Sequence, residues 1–220
     1  MFPRKTILIY LFTILVCFNS LPANSADIQH FYPENQKLYD QYPWAATYYY
    51  GWSCDGRLLR ITKFGFHRWP EHIQSLELAY TLNEDNILRR FFSPIVGVVQ
   101  LTGNAVVRHD HNIHHTIYEF DPYIAFRWAN LPWNHYVNTS FAIGEGVSYA
   151  TSYITLEQKE GEYTKRLMNY LMFEATFAHP AYPRLQLVAR IHHRSGVYGL
   201  YHAKNAGSNA IGLGVKYLFD

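Results

Sequence analysis

The run RIHHRSG, Arg190 to Gly196, sets His193 and Ser195 two residues apart. On a β-strand that spacing puts both side chains on one face with Cα atoms roughly 6.5 Å apart. An imidazole can reach a hydroxyl across that gap. Serine becomes a useful nucleophile when a base in hydrogen-bond reach takes its proton, and histidine, which ionises near neutral pH, is the usual base. The chemistry within reach is attack by Ser195 on an acyl ester with His193 as base. By itself the pair also fits two polar residues resting at the headgroup level of a membrane, so the elements that carry it must decide.

The segment ending on the pair alternates, with Leu185, Leu187, Ala189 and Ile191 on one face and Gln186, Val188, Arg190 and Arg194 on the other. This period of two is the signature of a strand with two unlike faces. The same pattern recurs. Leu76, Leu78, Tyr80 and Leu82 oppose Glu77, Ala79 and Thr81, and Tyr118, Phe120, Ile124, Phe126 and Trp128 oppose Glu119, Asp121, Tyr123, Ala125 and Arg127. Segments 140–149, 169–177 and 210–219 repeat it, Ile95 to Val107 reads as apolar on both faces, and Trp44 to Trp52 is the weakest of the set. Eight strands of this length predict an eight-stranded antiparallel transmembrane β-barrel, which closes its own edges in lipid. A turn signal at Asp55-Gly56 could add a hairpin and a ninth strand, but an even number suits such a barrel. Its interior is too narrow for a pore, and Glu119, Asp121, Glu174, Arg127, Arg190 and Lys216 are expected to neutralise one another there. A soluble lipocalin-like barrel or sandwich is the rival, yet it would place its polar face outward, the reverse of this pattern.

The remaining composition agrees. Residues 1–26 read as a secretory signal peptide, with Arg4 and Lys5 before an apolar run and small residues around Ala23 to Ala26. Residues 27–43 are expected to form an N-terminal periplasmic segment and 44–220 the barrel. Losing Arg4 and Lys5 from 19 basic residues leaves 17 against 17 acidic ones, so nothing points to nucleic acid. Cys17 leaves with the signal, so Cys54 is the only mature cysteine and no intrachain disulfide can form. Near an external turn, Cys54 could support an intermolecular disulfide and a homodimer. Counting back from a last strand that ends on the periplasmic side, with short turns there, puts His193 and Ser195 on the lipid face at outer-leaflet depth.

The C-terminal stretch LQLVARIHHRSGVYGLYHAKNAGSNAIGLGVKYLF resembles the lipid A 3-O-deacylase family of outer-membrane enzymes, and AIGEGVSYAT and RLMNYLMFE are similar to further segments of it. The likeness covers roughly the second half of the chain. It implies a bacterial outer-membrane lipid-ester hydrolase that removes an ester-linked 3-hydroxyacyl chain from lipid A. Lipopolysaccharide and outer-leaflet lipids would be its partners. On this pattern Ser195 attacks and His193 is the base, leaving His192, on the interior face, as structural. Two positions depart from the family. Its histidine-orienting glutamate on the last strand is matched here by the neighbourhood of Asn209, and the asparagine after its serine is Gly196, which leaves backbone N–H groups for the oxyanion. An asparagine carbonyl can hold a histidine tautomer but cannot supply a full charge to an imidazolium. Glu145, an odd charge on a lipid face, is the alternative acid.

Other features suggest less. RHDHNIHH, Arg108 to His115, sits in an expected external loop, and His109, His111, His114 and His115 make a zinc or copper site conceivable. No fixed-spacing ligand motif accompanies them, so the preferred reading is a solvated loop that turns cationic in acid and meets lipid phosphates. No metal or cofactor is expected. EQKEGEYTKR, Glu157 to Arg166, reads as a solvated external loop. The alternative to an enzyme is a noncatalytic barrel, a scaffold, adhesin or partner-binding protein, that kept the pair by descent.

Overall fold

The computed structural model of the chain describes residues 34–55, 58–61 and 65–220, so the expected signal peptide lies outside the described residues. Eight strands close into one antiparallel barrel in chain order. They are β1 (Trp44–Cys54), β2 (Arg68–Thr81), β3 (Val98–Asp110), β4 (His115–Trp128), β5 (Asn138–Ala150), β6 (Leu167–Ala178), β7 (Leu185–Ser195) and β8 (Gly207–Phe219). Closure is made by β1 against β8, from Trp44 opposite Phe219 to Cys54 opposite Asn209. There is no ninth strand among the described residues. After Cys54 the chain leaves the sheet, a short helix α2 (Leu58–Ile61) follows, and Asp55 Oδ1 accepts from the His67 N–H at 2.7 Å.

The alternation places polar groups inside and apolar ones outside. Leu76, Leu187 and Leu213 are 67%, 65% and 68% exposed, whereas Arg108, Arg127, Arg194 and Lys216 are almost wholly buried. In water such a surface would be an aggregation hazard, and in lipid it is the required one. No helix among the described residues is long and apolar enough to cross a membrane. β3 differs from its expected character, since its inner face carries Gln100, Thr102, Asn104, Arg108 and Asp110 and is polar.

The interior charges form two layers. Toward the end where β1 begins and β8 finishes, Arg190 grips Glu77 with two hydrogen bonds of 2.6 and 2.8 Å and also donates to Glu174. Arg127 reaches the same Glu174 at 2.7 Å, and Lys216 completes the cluster. Toward the opposite end, Arg108 bridges Glu71 and Glu119, while Arg194 meets Glu157 at 2.9 Å and lies 3.7 Å from Glu119. Buried charges persist only when paired in this way.

Both ends are closed by segments whose roles the sequence pattern hides. Helix α1 (Glu34–Gln41), within the expected periplasmic segment, buries Leu38 and Tyr39 in the terminal end of the barrel. The Tyr39 hydroxyl lies 3.2 Å from Ser140 Oγ and donates to Gln186 at 3.3 Å, and Arg127 stacks over its ring. The connection 82–97 at this same end is not a short turn. It carries α3 (Ile87–Phe92), started by Asn86, whose side chain accepts from the Leu88 N–H at 2.9 Å. At the opposite end α4 (Thr155–Glu160) folds inward. Its Leu156 packs with Ile117, Ala150 and Ile154, and Glu157 is fully buried. The start of the charged segment 157–166 is therefore an interior anchor, because Arg194 needs a counter-ion there.

Candidate active site

Register explains which side chains meet. At one level around the barrel lie Glu145, Leu171, His193, Asn209 and Cys54, each opposite the next. One level nearer the end where β7 finishes and β8 begins lie Val147, Asn169, Ser195 and Gly207. His193 and Ser195 share the outward face of β7 and are half-buried. Between them Arg194 points inward, where its bonds to Glu157 at 2.9 Å and to Ser148 Oγ at 2.5 Å pin the strand end that carries the pair.

His193 Nδ1 and Asn209 Oδ1 are 2.7 Å apart. A carbonyl oxygen only accepts, so Nδ1 carries the proton and Nε2 keeps its lone pair. Asn209 is itself buried, and its backbone carbonyl faces Cys54 Sγ at 3.7 Å. The structure thus brings His193 to Asn209. A hydrogen bond between His193 and Ser195 is not among the described contacts, although such bonds commonly tighten only when substrate arrives.

Glu145 is not brought to His193. Leu171 stands between them, which separates the two positions by two strand spacings, roughly 9 to 10 Å. Glu145 instead has Asn169 as its diagonal neighbour across β5 and β6, and Asn169 is the direct cross-strand partner of Ser195. Asn169 lies on the lipid-facing side of β6, two residues before Leu171.

The Gly196 N–H, the expected oxyanion donor, is occupied. It donates to the Ala206 carbonyl at 3.1 Å. A Cβ on Gly196 would lie 2.7 Å from the Ala203 Cβ, so close packing of the β7–β8 loop is what demands glycine here. Gly196→Ala is expected to destabilise the barrel by about 1–3 kcal/mol through overpacking, measured by urea unfolding in detergent micelles. The next residue, Val197, has φ 43, a strained conformation for a β-branched side chain and a feature that clusters at functional sites.

Two other clusters lie apart from this face. His72, from β2, joins the histidine-rich turn, with its Nδ1 2.7 Å from His111 Nε2 and its ring beside His109. The strands run on to Asp110 and His115, so the expected loop is a tight turn of residues 111–114. Inside the barrel Glu119, Asp121 and His192 converge, but Arg108 and Arg194 already lie against Glu119 and Ser148 donates to Asp121. Cys54 is 2% exposed, which withholds its thiol from an intermolecular disulfide.

No family model matches the chain, and no curated protein does. Among solved structures it is similar to the outer membrane enzyme PagL, at 11% identity over 78% of this chain and 98% of that one, with a TM-score of 0.47. It is also similar to Neisserial surface protein A, at 9% identity over 80% and 96% with a TM-score of 0.43. A third likeness is to the N-terminal β-barrel domain of Pseudomonas aeruginosa OprF, at 11% identity over 80% and 98% with a TM-score of 0.45. Likenesses this distant carry no argument about activity. The chain's own construction locates it: eight closed strands, leucine and aromatic residues outward, paired charges inward. It is a closed eight-stranded antiparallel β-barrel with the apolar exterior and paired-charge interior of a membrane-spanning barrel.

Proposed function

We propose that this barrel is a lipid-ester hydrolase that removes an ester-linked 3-hydroxyacyl chain from lipid A on its lipid-facing surface. The observation that carries the reading is the 2.7 Å contact between Asn209 Oδ1 and His193 Nδ1 beside Ser195. A lipid-exposed strand has no structural need for a histidine held in one tautomer next to a hydroxyl. The bilayer itself delivers ester groups at this depth.

In the reaction the Ser195 oxygen bonds to the acyl carbon while its proton passes to His193 Nε2, and the carbonyl electron pair moves to oxygen. Collapse of that oxyanion breaks the bond to the sugar oxygen, which takes the proton from His193. Water then repeats the sequence on the acyl-serine and releases the 3-hydroxy fatty acid. Asn209 orients the imidazole throughout.

Mass spectrometry of lipid A incubated with the refolded protein tests this. Loss of one hydroxyacyl mass, absent with Ser195→Ala, is the expected result. One observation favours a noncatalytic barrel instead: Asn209 brings no charge to balance an imidazolium. Unchanged lipid A and untouched phospholipid in both samples would establish that second reading.

A further inference from the structure

We infer that Asn169 is the oxyanion donor of this site and that Glu145 is its positioning residue, an inference that rests on the hydrolase reading above. Ester attack puts a negative charge on the former carbonyl oxygen, and donors aimed at that oxygen are commonly the largest single contribution to the rate. The obvious backbone donor beside the nucleophile, the Gly196 N–H, is already bound to Ala206. A side chain near Ser195 is the donor that the strand register offers in its place.

Asn169 satisfies the geometry. It is the register partner of Ser195, so the two Cβ atoms are about 4.5–5.5 Å apart on the same outward face. An amide reaching from that Cβ arrives alongside a carbonyl bonded to the serine oxygen. The residue is 9% exposed, on a face otherwise made of Leu167, Leu171, Phe173, Ala175 and Phe177. Polar groups on a lipid face are costly and default to function.

Glu145 fits the same account. A carboxylate accepts and does not donate, so Glu145, the diagonal neighbour of Asn169 on β5, favours the amide nitrogen turned toward it and the amide oxygen turned away. One N–H of Asn169 would then face Glu145 on the β5 side. The second is left for the β7 side, where the oxyanion forms. The odd acid on the lipid face thereby acquires a role that does not require it to reach His193.

The test uses the refolded full barrel in mixed lipopolysaccharide–detergent micelles, with heat-modifiable gel mobility to verify folding. Asn169→Ala is expected to lower kcat by about 10²–10³-fold with little change in KM, and to slow Ser195 labelling by a long-chain fluorophosphonate in parallel. Asn169→Leu, which matches its lipid-facing neighbours and so favours folding, should show the same loss. Glu145→Gln keeps an acceptor oxygen for Asn169 and should retain more kcat than Glu145→Ala. Unchanged kcat in Asn169→Leu, with Ser195→Ala inactive, would overturn the assignment while leaving the hydrolase intact. A wild-type protein that neither deacylates lipid A nor reacts with the fluorophosphonate would remove the hydrolase reading itself, and this inference with it.

Discussion

Ser195→Ala is expected to abolish release of 3-hydroxy fatty acid from lipid A, and His193→Ala to lower it by about 10²–10⁴-fold, the range for loss of a positioned general base. The two side chains act as one unit, so the double variant should be little worse than the more damaging single one. Asn209 makes a sharper test of the arrangement. Asn209→Ala frees the imidazole to rotate and should reduce kcat while leaving micelle binding unchanged. Asn209→Asp keeps the shape of the 2.7 Å contact and adds the charge that an imidazolium lacks here, so kcat should rise. Initial rates of fatty-acid release across the five variants provide the check. A fall in Asn209→Asp to the level of Asn209→Ala would show that the asparagine does not act through His193.

Arg190→Met is expected to cost about 3–5 kcal/mol of stability, the range for leaving one half of a buried ion pair behind. Arg190 holds Glu77 with both terminal nitrogens and shares Glu174 with Arg127 and Lys216. Without it, the hydrogen-bond donors left to Glu77 are two hydroxyls, Thr47 at 3.2 Å and Tyr123 at 2.5 Å. Methionine fills most of the volume, so the loss reports the stranded charge. Adding Glu77→Gln should recover part of it, since the double variant no longer buries an unpaired carboxylate at that position. Urea unfolding in micelles, followed by tryptophan fluorescence, separates the two variants. Equal midpoints would mean that the interior layer tolerates net charge.

The strands were legible because membrane and interior impose opposite demands on alternate residues. Leu187 and Leu213 had to face lipid once Arg190 and Lys216 needed partners inside, and no other period satisfies both. β3 was harder, because Val98, Val99 and Val106 mask the polar residues between them. Its inner face shows only when Arg108 is seen against Glu71 and Glu119. The segment from Glu157 hides its buried anchor for a related reason. A charged stretch resembles a solvated loop unless the buried cation that recruits it, Arg194, is known.

The site divides the same way. The two-residue spacing of His193 and Ser195 and the period of β7 are local properties, so the sequence alone determined that both face outward on one strand. It also placed Asn209 on the corresponding face of β8. What no local pattern contains is register. Only the closed barrel decided that Asn209 lies opposite His193, that Leu171 keeps Glu145 away from it, and that Asn169 stands beside Ser195. Register is a long-range property. It follows from how eight strands stagger to close around one set of interior ion pairs, and a one-residue slip of any strand would turn that strand's charges toward lipid.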